Sequence, residues 1–182
     1  MGSNINPFEN VQQMLKGLLE ISPCIDISRI VRTEAVGFSS ASFFLNMAVR
    51  VVTSQPATDL KMQLNELESR LGRNRNDPNK KLKDRTADLD ILFSLEKHET
   101  FVAKSLLPKE DYVLPTLLDL LNYLELDHEG VAMELEGLVD LHVDYTLIGM
   151  QPLTLEYHPT LGVTAKSIKC LCYVSSTCFN QS

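Results

Sequence analysis

The stretch Arg85-Thr86-Ala87-Asp88-Leu89-Asp90-Ile91-Leu92-Phe93 constrains this chain more than any other. Ala87, Leu89, Ile91 and Phe93 fall on one face of an extended segment, and Asp88, Asp90 and Leu92 on the other. A strand that buries one face can carry two carboxylates only where the opposite face opens to water or to cations. Side chains two apart on a strand point the same way, so Asp88 and Asp90 converge on one site. Paired carboxylates with room for water are the usual means of holding Mg²⁺, commonly with phosphates completing the shell. Just ahead, residues 70–85 carry seven basic and two acidic side chains, a local +5 in a chain of formal net charge −7. A basic loop that ends at a carboxylate pair in an otherwise acidic protein predicts a site for phosphate and metal. The alternative is a solvated charged loop beside a half-exposed strand.

The flanking sequence supplies helices and strands in alternation. Asn6-Pro7-Phe8-Glu9 reads as a helix start, with Asn6 as cap, Pro7 at the first helical position and Glu9 as the acid of a capping box. Val11, Met14, Leu15 and Leu18 then recur at helical spacing. Ile25 to Thr33 is strand-like. Phe43 to Thr53 is the clearest strand, with Leu45, Met47, Val49 and Val51 on one face and Phe44, Asn46, Ala48 and Arg50 on the other. A second helix is predicted from Ala57 to Leu71, striped by Leu60, Leu64, Leu67 and Leu71 and stopped by Gly72. Helix, strand, strand, helix, strand is an α+β order, a sheet with helices packed on it. No apolar strand is expected ahead of the first helix, since only Met1 precedes Gly2; either the start is truncated or misassigned, which is the favoured reading, or a later segment fills that place. Beyond Asp111, a helix is expected near Pro115 and another over Val131, Leu135, Leu138 and Val139. Leu153, Leu155 and Tyr157 alternate as a hairpin strand against residues 143–147.

Composition excludes several classes. With 182 residues, 44% hydrophobic and 23% charged, one domain over 1–182 with a real core is expected. The acidic balance argues against nucleic acid as a partner. There is no apolar run long enough for a membrane span and no secretory signal, so a cytoplasmic protein is expected. Cys24, Cys170, Cys172 and Cys178 lack the ligand spacing of a zinc site and read as free thiols. No phosphate-binding Gly-x-x-x-x-Gly-Lys-Ser/Thr loop and no protein-kinase signature occurs. His98, His128, His142 and His158 lie far apart, and no serine sits in a nucleophile elbow.

Four segments, in order, resemble one family. Arg32-Thr33, Phe43-Phe44-Leu45-Asn46-Met47-Ala48-Val49, Glu68 with Leu71-Gly72-Arg73-Asn74-Arg75, and Arg85 to Leu92 look like the motifs of the 6-hydroxymethyl-7,8-dihydropterin pyrophosphokinases of folate biosynthesis, and Gly2-Ser3-Asn4 resembles that family's first glycine turn. The match covers the first half to two thirds of the chain. The resemblance implies a ferredoxin-like βαββαβ core over about residues 1–124, followed by a divergent extension over 125–182. It also implies transfer of pyrophosphate from ATP to the hydroxymethyl group of a reduced pterin, giving AMP.

On this resemblance, Asp88 and Asp90 would bind two Mg²⁺ ions, and Arg73, Arg75 and Arg85 would serve as catalytic cations on the phosphates. Glu68 and Ile91 would join these arginines in binding ATP, and Thr33, Val36, Phe44 and Asn46 would hold the pterin, with Phe44 stacked on its ring. The basic loop would close over ATP and exclude water. The family usually has a Pro-His pair after the metal strand, then an Arg and an aromatic residue. Here Lys109 follows Pro108, and no Arg occurs beyond Arg85. Two other readings therefore stay open: a non-catalytic relative that binds nucleotide or a partner protein, and another Mg²⁺-dependent phosphoryl or nucleotidyl transferase. Because neighbouring carboxylates repel, replacing both aspartates with Asn is expected to leave folding unchanged or slightly improved.

Overall fold

The computed structural model describes residues 1–34, 42–74 and 84–166. Val36, Arg75, Cys170, Cys172 and Cys178 lie outside the described residues. The chain is α+β. In order it forms β1 (Gly2–Ser3), α1 (Pro7–Ile21), β2 (Cys24–Ile27), β3 (Val31–Glu34), β4 (Phe43–Asn46), β5 (Val49–Val51), α2 (Ala57–Arg70), β6 (Phe101–Val102), α3 (Leu114–Tyr123), β7 (Asp127–His128), β8 (Leu141–Val143), β9 (Thr146–Ile148), β10 (Leu153–His158) and β11 (Gly162–Lys166).

Both long strands of the sequence reading form, each broken into two. β2 pairs antiparallel with β5, Ile25 opposite Val51, and β3 pairs antiparallel with β4, Thr33 opposite Phe44. Ser28 holds the break: its N–H donates to the Ala48 carbonyl at 3.0 Å and its Oγ accepts the Ala48 N–H at 2.9 Å. The alternation along 43–53 sorts side chains into two cores. Leu45, Met47 and Val51 join the cluster built with Met14, Leu15 and Leu18 of α1 and Leu60, Leu64 and Leu67 of α2. Ala48 faces the other cluster, with Phe93, Leu117, Leu118 and Leu121. Helices thus cover both sides of this strand pair, α1 and α2 on one, α3 on the other.

Several expectations need correction. A strand does precede α1: Gly2–Ser3 pairs antiparallel with β4, Gly2 opposite Asn46. Two residues suffice because the ladder is made by backbone groups, and the neighbouring elements supply the burial that an apolar run would. Asn6 does not cap α1 with its side chain; it takes a left-handed conformation (φ 40°). Residues 87–93 do not form a continuous strand. Burial alternates from Ala87 to Asp90 and then breaks, Ile91 and Leu92 both being half-buried and Phe93 packing in the α3 cluster rather than with Ala87 and Leu89; only Asp88 is bridged, antiparallel to Gly2. No helix forms over 131–139; Val131 is exposed, and Leu138 bridges Val31 at the edge of β3. β8 pairs with β9, while β10 pairs with β11 and with β2 rather than with residues 143–147. The pairing with β2 brings Leu153, Leu155 and Val163 into the α1–α2 core. Cys24 is disulfide-bonded, so the free-thiol expectation fails for it.

Candidate active site

The site is built from the end of α2. Gly72 has φ +86°, a conformation open to glycine at little steric cost, and it closes a Schellman motif: the Gly72 N–H donates to the Ser69 carbonyl at 3.0 Å and the Arg73 N–H to the Glu68 carbonyl at 3.0 Å. The turn folds Arg73 back beside Glu68, and the Arg73 Nη1 lies 3.2 Å from Glu68 Oε1. Glu68 is fully buried. Its Oε1 also accepts the Leu89 N–H at 2.6 Å.

Leu89 lies between the two aspartates and is held at both of its peptide groups by α2. Lys61 Nζ donates to its carbonyl at 3.0 Å. Lys61 and Glu68 are seven residues apart, two helical turns, so they share a face of α2. Asp88, by contrast, is tied to the sheet: its N–H and carbonyl each bond to Gly2 at 2.9 Å. Asn4 fixes the approach to this segment. Its Oδ1 accepts the Arg85 N–H at 2.6 Å, and its own N–H donates to the Arg85 carbonyl at 3.0 Å.

The Asp88 carboxylate receives Arg73 Nη1 on one oxygen and Arg85 Nη1 on the other. Burial by itself would raise its pKa, but the hydrogen bond from Arg73 and the charges of Arg73 and Arg85 outweigh it, holding the carboxyl below its ordinary value. Asp90 is far more open, at 69% side-chain exposure, and pairs with Lys61 at 3.2 Å.

Asp88 and Asp90 both line one cavity of about 660 Å³, together with Arg85, Ile91, Asn46 and Tyr112. The wall mixes charged side chains, Glu96, Lys97 and Glu110 among them, with apolar ones including Leu60, Leu117 and Leu121. Tyr112 stands on the rim, its hydroxyl held in the protonated form by partial burial and by the negative charge of Glu110. Asn46 lies over Gly2 so closely that a Cβ there would come within 2.3 Å of its Oδ1, which is why glycine occupies this position. Its Nδ2 donates to Thr33 Oγ1 at 2.8 Å. Phe44 is directly opposite Thr33 and two residues from Asn46, so Thr33, Phe44 and Asn46 share one face of the β3–β4 pair. Glu68 and Arg73 are not on the cavity wall.

A family model for 7,8-dihydro-6-hydroxymethylpterin-pyrophosphokinase (HPPK) matches residues 1–122, which include every element just described up to α3. The chain belongs to the HPPK family. It is 28% identical over 144 residues to the 2-amino-4-hydroxy-6-hydroxymethyldihydropteridine pyrophosphokinase of Bacillus subtilis, covering 75% of this chain and 84% of that one. It is 31% identical over 141 residues to a folate synthesis bifunctional protein of Arabidopsis thaliana, 72% of this chain but 28% of the larger protein.

Of the HPPK-type residues expected from sequence, Asp88, Asp90, Arg85, Ile91 and Asn46 meet at the cavity, Thr33 and Phe44 extend the same face as Asn46, and Glu68 with Arg73 stands behind the metal-type segment. Asn4 and Lys61 were not legible as site residues. The one sequence signal for Lys61 was its seven-residue spacing from Glu68. No helix among the described residues is long and apolar enough to cross a membrane.

Proposed function

We propose that this HPPK-family chain transfers pyrophosphate from ATP to 6-hydroxymethyl-7,8-dihydropterin in folate synthesis, releasing AMP. The observation that carries the reading is the convergence of Asp88, Asp90, Arg85 and Asn46 on one cavity. A carboxylate pair and a guanidinium at one end suit a metal–triphosphate, and an amide set beside an aromatic strand face suits a flat heterocycle with a hydrogen-bonding edge.

Asp88 and Asp90 are the residues for Mg²⁺, two ions entering with ATP. Their donor chemistry fits: both are carboxylates, two apart, facing the same space. Among the described residues no group of three His, Cys, Asp or Glu side chains is gathered to hold a metal. The remaining oxygens must then come from phosphate and water, which is how Mg²⁺ is commonly held beside nucleotides. Bound there, the ions supply charge neutralisation of the triphosphate.

The protein's own contribution is positioning and charge. Arg85, released from Asp88 when that carboxylate turns to a cation, is set to bind the phosphates. Arg75 and Ile91 are assigned to the same ligand, and Thr33, Val36, Phe44 and Asn46 to the pterin, with Asn46 bonding its edge and Phe44 stacking on its face. No protein nucleophile is needed, because the hydroxymethyl oxygen attacks the β-phosphorus and AMP leaves. The cytoplasm is the proposed location. The sheet is read as ferredoxin-like, with the Asp88 segment beside β1, β1 beside the β4–β5 strand and that strand beside β2–β3; the pairings of Gly2 with Asp88 and Asn46 support this order.

Incubation with ATP, Mg²⁺ and the hydroxymethyl dihydropterin tests the proposal by product analysis. AMP and pterin pyrophosphate are expected in equal amounts. ADP, or no product at all, would reject it.

A further inference from the structure

We infer that Glu68 is a positioning residue for this reaction: without touching ATP, it sets the place of Asp88 and Asp90 through Leu89 and Arg73. The inference rests on the pyrophosphokinase reading and departs from the ATP-contacting role that the resemblance implied.

Three observations carry it. First, Glu68 is fully buried and absent from the cavity wall, whereas Arg85, Asp88, Leu89 and Asp90 form that wall. A ligand in the cavity meets the segment that Glu68 holds, not Glu68 itself. Second, the hydrogen bond from Leu89 N–H to Glu68 Oε1, at 2.6 Å, fixes the peptide between the two aspartates. Asp88 is anchored to Gly2 of the sheet, and Leu89 to α2. The spacing of the two carboxylates therefore depends on sheet and helix together. Third, Arg73 Nη1 is shared among Glu68 Oε1 at 3.2 Å, the Ala87 carbonyl at 2.6 Å and Asp88. Glu68 and Asp88 thus divide one guanidinium between them. Remove the Glu68 charge, and Asp88 is the one carboxylate still in contact with Arg73 among the described residues, with Asp90 acting from farther off. Asp88 is then held more firmly by Arg73 and is less available to a cation in the cavity.

This separates two kinds of ligand defect. A residue contacting the ribose or base would matter for ATP and not for inorganic tripolyphosphate. A residue that positions the carboxylates would matter equally for both, because both bring the same metal-bound phosphates. Supporting residues behind a metal site typically alter its affinity by about 10–100-fold when changed.

The test is calorimetric titration of Mg-ATP and of Mg-tripolyphosphate into wild type, Glu68→Gln and Glu68→Asp, with melting curves to establish folding. Glu68→Gln can still accept the Leu89 N–H but loses the charge; Glu68→Asp keeps the charge. The expected result for Glu68→Gln is a fall of about tenfold in affinity for both ligands alike, partly offset by raising Mg²⁺, with Glu68→Asp recovering part of the loss. Glu68→Asp also supplies the comparison with wild type if the Gln variant does not fold, again with equal losses for the two ligands. A loss confined to ATP would place Glu68 on the nucleoside and overturn the inference, as would unchanged affinity in both variants. A parallel AMP assay on wild type keeps the two readings apart: absence of AMP sinks the pyrophosphokinase reading, whereas the ratio of the ATP and tripolyphosphate losses judges Glu68.

Discussion

Asp88 sits between two guanidinium groups, and Arg85 on the cavity wall shares it with Arg73 behind. The finding reverses the expectation that the aspartates repel each other enough to weaken the fold. Asp88 is an ion-paired carboxylate with 16% side-chain exposure, and Asp90 is turned toward Lys61. Replacing both with Asn should therefore cost stability, by about 2 kcal/mol, the scale of hydrogen bonds to charged groups. Urea denaturation at neutral pH measures it. A double variant as stable as wild type would show that the arginine pairs contribute nothing to the fold.

The same double variant tests the metal assignment. Mg-ATP should raise the melting temperature of wild type and not of the variant, since binding to the native state alone stabilises it. Freed from Asp88, Arg85 on the cavity wall should at the same time let metal-free ATP bind the variant more tightly than wild type. Equal stabilisation of the two proteins by Mg-ATP would reject Asp88 and Asp90 as the metal residues.

Acid should act through Asp88 in a definite direction. Its folded-state pKa lies below the ordinary carboxylate value of 3.8. The stability it contributes is present above about pH 4, the unfolded value, and is lost as pH falls through the lower folded value. Between pH 2 and 4, wild type should lose stability more steeply than Asp88→Asn, by up to about one proton in the pH slope. Identical slopes in urea titrations across this range would mean that the arginine pairs do not persist in solution.

At the pterin end, Asn46→Ala should weaken pterin binding by about 1–3 kcal/mol and leave ATP binding as it is, because a buried hydrogen-bond partner is lost. Gly2→Ala should act in the same direction, since its Cβ would lie 2.3 Å from Asn46 Oδ1 and push that side chain aside. Calorimetry with each ligand separates the effects. Equal losses of ATP and pterin in Asn46→Ala would make the residue structural.

Asp26 does not line the cavity, although its partner Arg50 does, and should be a stability residue. It is fully buried in β2, pairs with Arg50 at 2.5 Å and accepts the Thr154 hydroxyl of β10 at 2.5 Å. Removing one partner of a buried ion pair typically costs about 3–5 kcal/mol, so Asp26→Ala should show a loss of that size in denaturant. A change under about 1 kcal/mol would mean that the pair and the β10 link are dispensable.

The sequence by itself determined the local patterns: where an apolar face runs along a helix or an extended segment and where a helix stops. The alternation at 43–53 and 87–90 is a local property of a pleated chain, so the inward faces of Leu45, Met47, Ala87 and Leu89 could be read directly, whereas Phe93, expected on that same face, packs in the α3 cluster. The leucine stripe of α2 and its stop at Gly72 follow from helical period and from the conformational freedom of glycine in the same way. What the chain could not disclose locally was decided by contact across distance. Two extended residues, Gly2–Ser3, become a strand only because β4 and Asp88 offer them backbone partners. Residues 131–139 carry a helical spacing, yet Val131 stays exposed, Leu138 pairs at the edge of β3 and Val139 packs against the α1–α2 core, so the segment follows its tertiary partners rather than a helical stripe. The family resemblance marks Glu68 as an ATP-binding acid, but its burial and its bonds to Leu89 and Arg73 come only from the Schellman turn and the folded position of Leu89. Patterns of period two or 3.6 are encoded within a few residues, whereas burial and pairing depend on partners from 21 residues away (Glu68 and Leu89) to 107 (Val31 and Leu138), which only the tertiary structure brings together.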